Sequence, residues 1–437
     1  MSYVPNTYAQ REEMLAEIGK KCIDELFEAI PQDVRIEKLN LPQGKTEFEV
    51  LSELREMSEK NVKYKTCFCG AGAYRHYIPS VVRSLTSRAE FVTAYTPYQA
   101  EMSQGVLQSI FEYQTMICEL TGMDVANASV YDGAQAAAEA AAMFKDRKRS
   151  KTVISGAAKP MVIETVRTYC QSAGSELVIV PAKNGLTDIE ALSAAIDEKT
   201  AGVYIEQPNW FGLAEDVESI EKAVHAAGAK LIMGCYPIAL ALMKTPAEYG
   251  ADAAVGEAQP LGMPLSFGGP YLGYMAVTAA HMRKLPGRIV GQTKDKDGKT
   301  AYVLTLQARE QHIRREKASS SICSNEALCA LTATVYCAAM GEQGLREVAE
   351  QCHAKAVYAA EKIGAVKGFG LKYDGFFFNE FVTECPVPAE TLQKRLDEES
   401  ILGGKPLDDG SVLWCVTECN TKSEIDRLAQ ILTEVAK

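Results

Sequence analysis

The stretch with the most chemical content is ADAAVGEAQPLGMPLSFGGPYLGYMAV, residues 251–277. Its pattern predicts a short buried strand over Ala253–Gly256, a polar loop, and a second strand over Leu272–Val277. Gly262, Gly268, Gly269 and Gly273 allow tight turning, and Pro264 and Pro270 fix their own φ angles. Loops beyond the carboxyl ends of strands are where α/β proteins hold ligands. This loop contains no Lys, Cys or His. Its one uncharged amide, Gln259, can hydrogen-bond but can neither form a Schiff base nor act as a nucleophile.

Three other stretches carry residues with chemical potential. Asp132 is placed to cap the Ala-rich segment AQAAAEAAAMF. A helix start can bind phosphate, but this cap is itself an anion and no Ser or Thr follows at 133–135, which disfavours phosphate. Tyr74, Arg75, His76 and Tyr77 form an aromatic loop ahead of a helix near Ser80. A lone loop histidine is more often a packing or hydrogen-bonding residue than a catalyst. Tyr95, Thr96, Pro97, Tyr98 and Gln99 make a stiff loop. It either covers the core of its own chain or is presented to a partner, since interfaces are rich in aromatics. The 13 cysteines include one close pair, Cys67 and Cys69, and no C-x-x-C or Cys/His cluster. A structural zinc site is therefore disfavoured, and reduced thiols of a cytoplasmic protein are expected.

The elements that position these residues follow a regular plan. Residues 1–65 read as a helical arm, with helices over Gln10–Ile18, Lys21–Ile30 and from a Thr46/Glu49 capping box to Lys60. Residues 66–325 read as a large α/β domain. Apolar runs at 152–155, 176–180, 202–205, 230–233 and 253–256 alternate with helical stretches, as parallel βαβ units require. Residues 294–300, KDKDGKT, form a charged turn. Residues 326–437 read as linking helices and a smaller α+β domain. The 437-residue chain is 47% hydrophobic with a net charge of −11, so a large core is expected and nucleic acid or an anionic membrane surface is not. No apolar run resembles a membrane span.

This layout suits the fold type I pyridoxal-phosphate transferases. The motifs are sharper: YVPNTYAQREEML, YRHYIPSVV, FVTAYTPYQAEMSQG, VANASVYDGA, SFGGPYLG, and GRIVGQTKDKDG with YVLTLQAREQHIRREKA. They resemble the P-protein of the glycine cleavage system, specifically its alpha subunit, from about residue 3 to 350 and more weakly to the end. One departure is SSSICSNEAL at 319–328, where the family tends to carry Asn-Ile-Cys-Thr-Asn; no role is assigned to Ser321 or Ser324.

The resemblance implies a subunit of glycine dehydrogenase (decarboxylating) in a heterotetramer. The beta subunit would hold pyridoxal phosphate, decarboxylate glycine and pass the aminomethyl group to the lipoyl arm of the H-protein. It also places Gln259 at the cofactor-lysine position, Gly234 at the acidic position for the ring nitrogen, and Asp132 and Ala134 in the phosphate cup. The nearest lysines are then Lys230 and Lys244, on other elements. The loops Tyr74–Ile78 and Thr93–Gln99 are expected at the heterodimer interface. Two alternatives remain: a self-sufficient pyridoxal-phosphate decarboxylase, and an NAD-dependent dehydrogenase, the latter opposed by the lack of G-x-G-x-x-G after a strand.

Overall fold

The computed structural model describes residues 5–36, 38–318, 320–322 and 324–437. Tyr3 and Val4 of the first motif, and Ser319 and Cys323 of the divergent run, lie outside them. By internal contacts the chain divides into two units, Met1–Lys63 and Tyr64–Lys437.

The first unit holds α1 (Tyr8–Glu17) and α2 (Glu47–Glu59), each started by a capping box, Thr7 with Gln10 and Thr46 with Glu49. The helix expected over Lys21–Ile30 is instead a 3₁₀ turn, Ile23–Phe27. None of its residues is buried. No apolar burial then offsets the cost of nucleating a regular helix.

The second unit is built on a seven-stranded sheet. Its strands in chain order are β1 (Val125–Ala126), β2 (Lys151–Ser155), β3 (Leu177–Val180), β4 (Thr200–Gln207), β5 (Lys230–Cys235), β6 (Ala253–Glu257) and β7 (Gly273–Val277). Their spatial order is β1-β7-β6-β5-β4-β2-β3. The five strands β3, β2, β4, β5 and β6 run parallel. At the far edge β7 is antiparallel to both β6 and β1.

Alternation along these strands feeds two cores. Val203, Ile205, Leu231 and Met233 face one side, with α3 (Ser80–Thr86), α4 (Gln104–Thr121), α7 (Ile189–Ala195) and α8 (Val217–Ala226). Tyr204, Ile232 and Val255 face the other, with α5 (Gly133–Met143) and α6 (Pro160–Ser172). The alanines of α5 let it lie close on the sheet, and each fully buried Val, Leu or Ile contributes about 1.5–3 kcal/mol.

A hairpin, β8 (Ile289–Lys294) and β9 (Thr300–Thr305), packs on α4 and carries the charged turn at its tip. The helical run α9 (Ala327–Gly364) is broken at Gly341, where φ is 64°. Its first half packs in the large core through Ala330 and Tyr336, and its second half in the C-terminal core through Ala356 and Ile363. That second core lies between β10 (Glu380–Thr383), β11 (Lys405–Pro406) and β12 (Val412–Cys415) and the helices α10 (Ala389–Glu398) and α11 (Lys422–Val435). Trp414 is fully buried there and donates its indole N–H to Thr383 at 2.9 Å.

Candidate functional site

A cleft of about 680 Å³ opens at the carboxyl ends of β4, β5 and β6. At or next to those ends stand Glu206, Gly234 to Tyr236, and Glu257. The start of α5 adds Asp132, Gly133 and Ala134, and the start of α6 adds Lys159. Residues 70–74 and Pro270–Tyr271 close its walls. Parallel strands and the helices that follow them thus bring together residues more than 100 positions apart.

Asp132 caps α5 by accepting the Gln135 N–H at 2.8 Å. Beside it, Glu257 accepts the Gly133 N–H at 3.0 Å through one carboxylate oxygen. Through the other it accepts the Gln259 and Leu272 N–H groups at 2.9 and 3.0 Å. Burial raises the Glu257 pKa, opposed by those three backbone donors. Glu206 accepts from the Tyr204 hydroxyl at 2.8 Å and from the Lys159 backbone at 3.0 Å. It also pairs with the Lys159 ammonium at 3.1 Å. Cys235 lines the cleft too, and burial pushes its thiol well up, so it stays protonated and is a poor nucleophile.

The sequence-derived candidates separate. Gly234, Asp132 and Ala134 line the cleft. Gln259 is 1% exposed and is not among the lining residues. Its amide instead receives the Tyr74 N–H at 2.9 Å and donates to the carbonyls of Tyr74 and Met263 at 3.0 and 2.7 Å. It ties the 70–78 loop to the loop after β6. The placing of Lys230 and Lys244 as the nearest lysines is corrected. Lys159 is the one lysine among the described lining residues, because the turn after β2 delivers it to the same end of the sheet.

Tyr74 and His76 are buried within the unit. The Tyr74 hydroxyl donates to Glu380 at 2.8 Å, and its ring lies 4.5 Å from that of Tyr236. His76 bonds Glu418 at 2.7 Å through Nδ1 and the Tyr236 hydroxyl through Nε2. Burial would raise the Glu418 carboxyl, but its hydrogen bonds from His76 and the Tyr77 backbone hold it down to about 2. His76, Glu418 and Cys352 are close enough to share a metal ion. Their ligand atoms are already engaged with one another, and burial pushes the Cys352 thiol well up, so they read as a hydrogen-bonded network. Of this loop only Arg75 and Tyr77, with lesser exposure at Ile78, face outward.

The 93–99 loop is more open. Tyr95 is 84% exposed and Tyr98 53%, while Pro97 is buried. The Tyr98 hydroxyl accepts from Arg288 at 2.6 Å, and that guanidinium lies 5.0 Å from the Tyr98 ring centre. Thr96 and Pro97 line a second cleft of about 380 Å³, which shares Pro270 and Glu326 with the first. Gln99 is exposed.

Sequence reasoning passed over Glu206, Glu257 and Lys159. A signal was present: each is an ionisable residue at or just after the carboxyl end of a buried apolar run.

The family model described as glycine cleavage system P-protein matches residues 1–432. Proteins named "Probable glycine dehydrogenase (decarboxylating) subunit 1" are similar over full length. That of Desulfitobacterium hafniense is 48% identical, covering 100% of both chains. That of Moorella thermoacetica is 51% identical, covering 98% of both. That of Syntrophomonas wolfei is 50% identical, covering 99% of both. A crystal structure of glycine decarboxylase (P-protein) of the glycine cleavage system, in inhibitor-bound form, superposes with a TM-score of 0.93 at 38% identity, covering 100% of both chains. A sphingosine-1-phosphate lyase of Burkholderia pseudomallei, at 14% identity and a TM-score of 0.67, shares the fold alone, covering 91% of this chain and 92% of its own. The fold is that of the fold type I pyridoxal-phosphate enzymes.

Proposed function

The chain belongs to the glycine cleavage system P-protein family, and from that premise we propose that it is the alpha subunit of a two-subunit glycine dehydrogenase (decarboxylating). Pyridoxal phosphate is held by the beta subunit, which supplies the electron sink for decarboxylating glycine and passes the aminomethyl group to the lipoylated H-protein. This chain completes and supports that site and is inactive alone. The assembly is a heterotetramer in the cytoplasm. The arm 1–65, the large domain 66–325 and the C-terminal part 326–437 are its working divisions.

The observation that carries the reading is the state of the cleft's one described lysine. Lys159 is ion-paired with Glu206, itself 3% exposed, and does not stand free to condense with an aldehyde. The rest of the cleft also fits the cofactor poorly. Asp132, Glu206, Glu257 and Glu326 line the cleft against Lys159, the one cation among the described lining residues, a sign of charge that disfavours a phosphate ester. Gly234 offers no acid for a ring nitrogen. Gln259 is turned away into hydrogen bonds with Tyr74. No chemical step is therefore routed through this cleft. The exposed tyrosines at 95 and 98, with Thr96, Pro97 and Gln99, support an interface role for that loop. On the 70–78 side, Arg75 and Tyr77 are the outward residues, and Tyr74 and His76 hold the loop's shape.

The test is reconstitution. The chain alone should not exchange bicarbonate carbon with glycine, and activity should appear when a candidate beta subunit is added. Exchange by the isolated chain sinks the proposal.

A further inference from the structure

The start of α5 is where an anion would be received in this cleft. An α-helix leaves its first N–H groups without intrahelical partners, and together with the helix dipole they attract negative charge. In this chain the Gly133 N–H already has a partner in Glu257, which reaches across from the end of β6. The same carboxylate is held by the Gln259 and Leu272 N–H groups. Three backbone donors from three segments therefore converge on one side-chain anion.

The backbone is shaped for this contact. A Cβ built at Gly133 would lie 2.8 Å from Glu257 N and 2.9 Å from Glu257 Cβ. Only glycine lets the end of β6 come this close to the helix start. Asp132 adds a second carboxylate as the cap. The one lysine among the described lining residues, Lys159, is committed to Glu206.

We propose that Glu257 is a built-in anion that occupies the phosphate seat of this cleft and keeps phosphate-bearing ligands out of it. This deepens the reading of the chain as the subunit that does not hold the cofactor, and rests on it. A phosphate entering here would have to displace three hydrogen bonds and lie against two carboxylates, so Glu257 acts as a specificity determinant by exclusion. Removing its side chain frees the three donors and turns the seat into a weak site for a tetrahedral oxyanion.

The probe is inorganic phosphate, measured by equilibrium dialysis against the full chain as wild type, Glu257→Ala and Glu257→Gln. Wild type should bind none at millimolar phosphate. Glu257→Ala should gain a single site at least about tenfold tighter than any wild-type binding. Glu257→Gln, which keeps the shape and one acceptor oxygen but not the charge, should fall between them. Should Glu257→Ala melt below the assay temperature, Glu257→Gln carries the test. Wild type binding one phosphate as tightly as the variants, or folded variants gaining nothing, overturns the inference. Neither result touches a lysine, so each is distinguishable from failure of the functional proposal, which would appear as cofactor attached to this chain.

Discussion

The hydroxyl of Tyr204 occupies the space into which a side chain at Gly234 would grow. A Cβ built on Gly234 falls 2.2 Å from that oxygen and 3.0 Å from Glu206 Cγ. The Tyr204–Glu206 hydrogen bond, 2.8 Å long, thus fills the place where an acid on β5 would have to stand. Gly234→Ala should be destabilising by about 1–3 kcal/mol, the usual range for overpacking a well-filled core. Tyr204→Phe should cost less in the Gly234→Ala background than in wild type, because the clash is with the hydroxyl. A double-mutant cycle by denaturant melts measures the coupling, and additive costs would contradict the geometry.

Tyr95 and Tyr98 sit in one loop but should behave differently. Tyr98 satisfies Arg288, which is 2% exposed. Two of that guanidinium's nitrogens, Nε and Nη1, have no protein partner among the described residues. Tyr98→Ala should lower the melting temperature of the isolated chain by a few degrees, since hydrogen bonds to charged groups contribute about 1.5–3 kcal/mol. Tyr95→Ala should change its stability by less than about 0.5 kcal/mol yet weaken assembly with the beta subunit. Full assembly and activity with Tyr95→Ala would contradict the interface role of the loop.

Gln259→Lys should not create a cofactor lysine. The native amide accepts one backbone N–H and donates to two carbonyls in a site sealed from water. A lysine keeps donors but leaves the Tyr74 N–H unmet and buries a charge, costing about 2 kcal/mol or more. The variant should melt lower and loosen the 70–78 loop, seen as faster amide exchange at Tyr74. Unchanged stability would show that these bonds contribute little.

A pH effect is expected at the opposite end of the sheet. Asp252 accepts from His225 at 2.9 Å and Lys230 at 2.8 Å, and lies 3.3 Å from His281. Burial lowers the His225 pKa, but its bonds to Asp252 and Glu221 more than offset this and leave it raised. His281, facing the same carboxylate and Lys230, is lowered by burial. A raised histidine adds stability that is fully present below its unfolded value, roughly 6.5, and is lost as pH rises through the folded value. The stability gap between wild type and His225→Gln should therefore be widest near pH 6 and narrow toward pH 8. A gap that widens with pH would show the sign to be wrong.

Much of the fold was legible because its signals are local. The Thr46/Glu49 capping box, the Asp132 cap and the apolar runs of the parallel strands each depend on neighbours in sequence. The loss of a regular helix at Lys21–Ile30 was not legible, since it reflects missing burial. The site was read less well because its contacts are remote. Gln259 meets Tyr74 across 185 positions and Glu418 meets His76 across 342. Glu257, two residues before Gln259, falls just past the strand end read at Gly256, and the helix start it meets, at Gly133, lies 124 positions away.

The most direct test of the central claim is to locate the cofactor. The reconstituted alpha–beta complex is saturated with pyridoxal phosphate, reduced with borohydride, digested, and every pyridoxyl-lysine mapped by mass spectrometry. The account predicts one stoichiometric label on the beta subunit and none on this chain, Lys159 included. A stoichiometric pyridoxyl group at Lys159, or at any other lysine of this chain, would contradict it.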